Sequence, residues 1–256
     1  MSKYSCLSLL ALIIANPAFA QSSKEWDWKV APYLWTDGID GNLSAGSISQ
    51  DIDVSFNDLF SDLDFAFEIY AEVGKGKHAV HFDYSYMRLK PDPTDLPTPP
   101  FPADSTLGTK MTINIFEPAY HYRFDGPGLA ALVFGARCMD IEMRMTPDIN
   151  VPVEPPTSPG ATEVGPNWWD AFFGIKTQNP ISDKWDFVFY GTVGAGGSDW
   201  PWTLQATFAR RFSNDNRLGL GLRIWGLDYS EKGNSPSEYA RIDATFYGLT
   251  IGYEFN

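Results

Sequence analysis

FYGLTIGYEF, Phe246 to Phe255, puts Tyr247, Leu249, Ile251, Tyr253 and Phe255 on one side and Phe246, Gly248, Thr250, Gly252 and Glu254 on the other. Side chains of an extended chain alternate with period two, so this is a strand with one bulky apolar face. RLGLGLRIW, Arg217 to Trp225, repeats the pattern, with Leu218, Leu220, Leu222 and Ile224 opposing Gly219, Gly221, Arg223 and Trp225. Further back, Trp202, Leu204, Ala206 and Phe208 oppose Thr203, Gln205 and Thr207, with Arg211 beyond, and Trp185, Phe187 and Phe189 oppose Asp186, Val188 and Tyr190. A soluble β-barrel buries its apolar face and scatters lysine and glutamate outside. Here the less apolar face is glycine, threonine and tyrosine with isolated charges, the inside-out composition of an outer-membrane barrel. Closure pairs every backbone group, which is how a sheet can span lipid.

Extending the reading over the 256 residues predicts ten strands, near 25–36, 64–74, 77–90, 107–123, 128–145, 167–178, 184–195, 200–213, 217–229 and 237–255. The predicted fold is all-β, a single closed antiparallel transmembrane barrel over residues 21–256. Short turns fall at 74–76, 125–127, 178–183 and 213–216, alternating with longer connections at 37–63, 91–106, 146–166, 196–200 and 230–237. Twelve of the 19 prolines lie in 91–106 and 146–166, which hold no lysine or arginine and read as stiff acidic loops. Within 37–63, Ile39 to Leu43 and Gln50 to Val54 are expected to pair as a hairpin extension, followed by a helical turn at Asn57 to Leu63. A full strand over 43–55 would instead imply twelve strands.

A net charge of -13 offers no electrostatic footprint for nucleic acid. An aromatic content of 15% excludes a disordered chain. Beyond residue 20 there is no apolar run of the roughly 20 residues a transmembrane helix needs. Residues 1–20 (MSKYSCLSLLALIIANPAFA) read as a secretory signal peptide, with an early lysine, an apolar core from Leu7 to Ile14 and a small-x-small end at Ala18 to Ala20. Cleavage there removes Cys6 and leaves Cys138 as a lone thiol, so no intramolecular disulfide is predicted.

The segments APYLW with the following IDG (Ala31 to Trp35, Ile39 to Gly41), DVSFNDLFSDLDFAFE (Asp53 to Glu68), GAR (Gly135 to Arg137), WWDAFFGIK (Trp168 to Lys176) and FYGTVGAGGSDWPWTLQATFARRFS (Phe189 to Ser213) resemble poorly characterised proteobacterial outer-membrane β-barrel proteins. The resemblance spans nearly the whole chain after residue 20. It implies the barrel fold and the cell outer membrane of a Gram-negative envelope; its motifs are structural and imply no activity. It also implies barrel-insertion machinery reading the C-terminal strand. Such barrels usually end in an aromatic residue, whereas Phe255 is penultimate here.

Projecting the alternation inward places Lys29, Glu68, Glu72, His81, Asp83, Glu117, His121, Arg123, Arg137, Asp170, Lys176, Asp186, Arg211 and Arg223, with Glu254, in the lumen. Charges removed from bulk water must be paired or hydrogen-bonded, so an ion-pair network filling a narrow barrel is the first reading. A charged constriction of a porin-like channel for ions or small solutes is the alternative. His81, Asp83 and Ser85 share one face of a strand, but same-face neighbours stand about 7 Å apart, too far for a serine–histidine hydrogen bond without leaning. Gly-x-Ser-x-Gly is absent. A lipid- or lipopolysaccharide-modifying enzyme is therefore the third reading, and no catalytic residue is assigned. No zinc-like spacing or phosphate-cradling glycine loop occurs, so no metal or cofactor is predicted. Asp92, Asp95, Asp104, Asp148, Glu154 and Glu163 read as an acidic solvated loop surface facing lipopolysaccharide. Partners are thus outer-membrane lipid and lipopolysaccharide, with oligomeric state open. The reading is an integral barrel of structural or binding character, not an enzyme.

Overall fold

The computed structural model describes residues 26–45, 48–54, 58, 61–95, 98, 102–126, 128–149, 162–231 and 240–256. The predicted signal peptide and Glu154 lie outside them. Thirteen strands follow in chain order: β1 (Asp27–Ala45), β2 (Ile48–Val54), β3 (Leu63–Lys75), β4 (His78–Leu89), β5 (Thr94–Asp95), β6 (Thr106–Phe124), β7 (Leu129–Asp148), β8 (Thr162–Val164), β9 (Asn167–Pro180), β10 (Trp185–Gly196), β11 (Ser198–Arg211), β12 (Arg217–Glu231) and β13 (Ala240–Glu254). Ten of them form the wall. Each pairs antiparallel with its neighbours in the order β6-β4-β3-β1-β13-β12-β11-β10-β9-β7, and β6 pairing with β7 closes the cylinder.

The count is ten and not twelve because, among the described residues, β2 pairs only with β1, in the register Ile39↔Val54 to Ala45↔Ile48, as a hairpin extension beside the wall. β1 runs past residue 36 because it exchanges partners along one edge. Asp27 to Tyr33 pair with β3 and Ile39 to Ala45 with β2, while its other edge stays on β13 from Tyr33 to Ala45. Of the helical turn expected at Asn57 to Leu63, Asp58, Ser61 and Asp62 are helical, Leu63 already belongs to β3, and the remainder lies outside the described residues. β6 and β7, at 19 and 20 residues, exceed the roughly 9–11 that cross a bilayer. Their surplus stands at the long-loop end, where β5 adds to β6 and β8 to β7.

The outer surface is apolar. Leu34, Ile251, Leu220 and Phe208 are cross-strand neighbours around the wall, all outward and exposed. Phe134, Phe173 and Val193 continue the belt on the far side. A water-soluble monomer rarely exposes an apolar patch above about 300–600 Å²; a surface greasy around its circumference is one that faces lipid. Trp26, Trp28, Phe124, Trp185, Phe212 and Phe255 lie exposed at the short-turn end, and Phe65, Phe67 and Trp200 nearer the loops, as interfacial girdles. Short turns mark the periplasmic end of such barrels. There Gly76 takes φ 62°, which a β-carbon disfavours. Beside it Asp125 accepts a hydrogen bond from Lys77 at 2.6 Å and holds that ammonium's pKa above its ordinary value.

Cys138 is buried on β7. One sequence expectation changes: the inner face is not uniformly polar. Towards the loops it carries a cluster of Trp35, Ile113, Met139, Trp168, Trp225, Leu227, Tyr229, Ala244 and Phe246, each no more than 9% exposed. A membrane barrel with so narrow a bore can pack an interior core, and the bulk of Trp225 and Phe246 fills it.

Candidate functional site

The interior is layered. At the periplasmic end Asp186 of β10 accepts from Arg211 Nη2 at 2.7 Å, Arg217 Nε at 3.1 Å and Gln178 Nε2 at 3.0 Å, and Arg217 also pairs with Glu254. Lys29 of β1 reaches Gln178 at 3.5 Å. Three strands then converge on Glu72. Its carboxylate accepts from Arg123 Nη2 and Lys176 Nζ, each at 2.7 Å, and from the Tyr70 hydroxyl, while Arg123 also holds Asp27. A second centre is Glu117 of β6, which accepts from Arg137 Nε at 2.7 Å and Tyr190 at 2.6 Å. Arg137 continues to Thr203 Oγ1 at 3.0 Å and lies over the rings of Phe172 and Trp225.

Two histidines stand between the two carboxylates. His121 Nδ1 faces Glu72 at 3.6 Å, His121 Nε2 meets His81 Nδ1 at 2.6 Å, and His81 Nε2 faces Glu117 at 3.5 Å. A nitrogen–nitrogen contact that short is a hydrogen bond in which one ring donates its N–H and the other accepts. All four side chains are buried. β4 and β6 bring this about because Ala79 pairs with His121 and His81 with Ala119, setting the two rings diagonally across one face.

Asp83 accepts from Tyr33 at 2.7 Å, and Ser85 meets the same hydroxyl at 3.1 Å. Arg223 lies with its guanidinium 4.7 Å from the Trp35 ring, 3.4 Å from the Tyr33 hydroxyl and 4.0 Å from Asp83. Glu68 accepts the Trp35 backbone N–H. Nearer the loops Asp170 accepts from the backbone N–H and hydroxyl of Ser198 and from Trp168 Nε1.

The alternating face that carried His81, Asp83 and Ser85 therefore sends them to different partners. His81 bonds His121 and not Ser85, so no nucleophile–base pair forms there. His78 is exposed and bonds Tyr120. Among the described residues no group of three His, Cys, Asp or Glu side chains is arranged to hold a metal ion. Sequence reading did not single out Tyr33, Tyr70, Tyr190, Gln178, Thr203 or Arg217, which complete the hydrogen bonding of the charges. The signal was present, since each stands on an inward position of its strand, but an uncharged or terminal side chain gives no reason to expect a partner.

No family model matches the chain, and no curated protein matches it. Among solved structures it is similar to the outer membrane protease OmpT from Escherichia coli, with a TM-score of 0.53 and 7% identity over 93% of this chain and 99% of that one. The translocator domain of the autotransporter NalP from Neisseria meningitidis aligns with a TM-score of 0.46 and 12% identity, covering 92% and 90%. Neisserial surface protein A aligns with a TM-score of 0.32 and 12% identity, covering 90% and 98%. At 7% identity the likeness to OmpT is one of fold and transfers no residue role. Apolar belt, aromatic girdles, closed ten-strand sheet and fold likeness together make this chain a β-barrel of the bacterial outer membrane.

Proposed function

We propose that this is a non-conducting outer-membrane barrel of structural or binding character, with its lumen filled by its own side chains and its acidic loops turned to the lipopolysaccharide surface. The supporting observation is the stacking of two kinds of filling. The paired charge layers around Glu72 and Glu117 lie beneath a core of Trp35, Trp225, Trp168 and Phe246. A selective channel needs charges that bind an ion and release it. Glu72 and Glu117 are instead each held by protein cations at hydrogen-bonding distance. Lys29, Glu68, Glu72, His81, Asp83, Glu117, His121, Arg123, Arg137, Asp170, Lys176, Asp186, Arg211 and Arg223 act in this reading as the filling, not as a selectivity ring. In this reading the barrel-insertion machinery recognises β13.

The test is swelling of liposomes carrying the refolded barrel in iso-osmotic small sugars and salts. Liposomes that hold their volume support a filled lumen; swelling at rates that scale with protein content refutes it and restores the porin-like alternative.

A further inference from the structure

Below the aromatic core the inner wall does not close. A cavity of about 180 Å³ runs from Asp83 and Arg223 at mid-height to Arg217 and Glu254 at the periplasmic end, where both of the latter keep contact with solvent. That is room for several waters or one small organic molecule.

Among the described residues Arg223 on its wall is the lumen arginine that holds no carboxylate closer than 4.0 Å. Arg123, Arg137, Arg211 and Arg217 each hold a carboxylate at 3.1 Å or closer. Arg223 has Asp83 only at 4.0 Å, a long contact to Tyr33, and an Nε with no hydrogen-bond partner, although the residue is 5% exposed. Trp35 against its face fixes the plane of the guanidinium. A buried guanidinium with open N–H groups calls for an acceptor, and its fork matches a carboxylate. Asp83 is the complementary half, since one oxygen accepts from Tyr33 and the other has no cation closer than 4.0 Å.

The charge balance restricts the occupant further. The lumen residues assigned above comprise six lysine and arginine and six aspartate and glutamate side chains beside His81 and His121. Arg217 and Glu254 add one of each sign, and the half-exposed Asp27 on Arg123 adds one acid, so Lys/Arg and Asp/Glu nearly balance. A singly charged guest would bring an uncompensated charge into this poorly solvated space, whereas a zwitterion brings none. We propose that the cavity binds a small zwitterion of amino-acid size entering from the periplasmic end, its carboxylate on Arg223 and its ammonium on Asp83. This rests on the filled-lumen reading, because an open pore would flood the same wall with water and ions.

The experiment is calorimetric titration of the refolded full barrel in detergent micelles with L-alanine and γ-aminobutyrate, against propionate and propylammonium as single-charge probes. Saturable heat is expected for at least one zwitterion, with the single-charge probes at least about tenfold weaker. Arg223→Met and Asp83→Asn should each weaken the zwitterion at least about tenfold; the near-isosteric Asp83→Asn serves if Arg223→Met fails to form a heat-modifiable barrel. Absence of heat with both zwitterions on a correctly formed barrel overturns the site. So does equal binding of propionate or propylammonium, or wild-type affinity in the substituted barrels. Liposome swelling with the same preparation separates the two failures: swelling refutes the filled lumen, while no swelling and no heat refutes only the zwitterion site.

Discussion

Glu117→Leu isolates the energetics of the filled lumen. In the native barrel the carboxylate is 3% exposed and accepts from Arg137 and Tyr190. Its loss leaves the Arg137 guanidinium buried with only Thr203 Oγ1 at 3.0 Å and the faces of Phe172 and Trp225. Removing one member of a buried ion pair costs about 3–5 kcal/mol. The two ring contacts already exist in the native state and strengthen little, by about 1 kcal/mol at most. The net expectation is a loss of about 3 kcal/mol, or about a hundredfold in the folded-to-unfolded ratio. Urea unfolding of the barrel in lipid vesicles, followed by tryptophan fluorescence and heat-modifiable migration, measures it. Glu117→Leu combined with Arg137→Met should recover most of the loss, because neither charge then remains buried alone. A single variant within about 0.5 kcal/mol of wild type, the ordinary range for surface positions, would refute the reasoning, as would a double variant no more stable than the single one.

Other substitutions probe the remaining layers. His121→Leu removes the bridge to His81 while Glu72 keeps Arg123 and Lys176, so a loss of about 1–3 kcal/mol is expected in the same urea assay. His78→Ala, on an exposed ring, should stay within about 0.5 kcal/mol. Leu220→Arg, placed on the lipid belt beside Ile251 and Phe208, should cost about 2–4 kcal/mol in bilayers; no cost there would argue that this face meets water. Gly135→Val should prevent the heat-modifiable form, because a β-carbon there would stand 2.4 Å from Phe172 and 2.6 Å from Ala119, whereas Gly126→Ala, with its nearest neighbour at 3.9 Å, should fold normally.

The wall of this protein was legible because lipid and lumen impose opposite demands on alternate residues. The run from Tyr247 to Phe255 could satisfy both only as a strand, and the spacing of turns and Pro-rich loops then gave ten strands with twelve as the alternative, which the pairing of β2 with β1 decides. The partner exchange of β1 was half visible: the Ile39-to-Leu43 pairing with Gln50 to Val54 could be read, but not that the wall strand itself continues through it to Ala45. Which inward charges meet was not legible. Glu72 and Lys176 are 104 residues apart and touch only because the cylinder closes. The interior aromatic core escaped notice for a different reason. Trp225 and Phe246 stood on the inward side of the alternation beside glycines and polar groups, and it is their stacking across β12 and β13 at 5.0 Å, together with Leu227 and Tyr229 further along β12, that makes a core of them.

Single-channel recording of the refolded protein in a planar bilayer, after heat-modifiable migration has shown a formed barrel, tests the filled lumen most directly. The account predicts no steady ohmic steps from the wild-type barrel, and their appearance when Trp225→Ala is combined with Glu117→Ala and Arg137→Ala to remove the packing between the layers. Steady, ion-selective steps from the wild-type protein would contradict it.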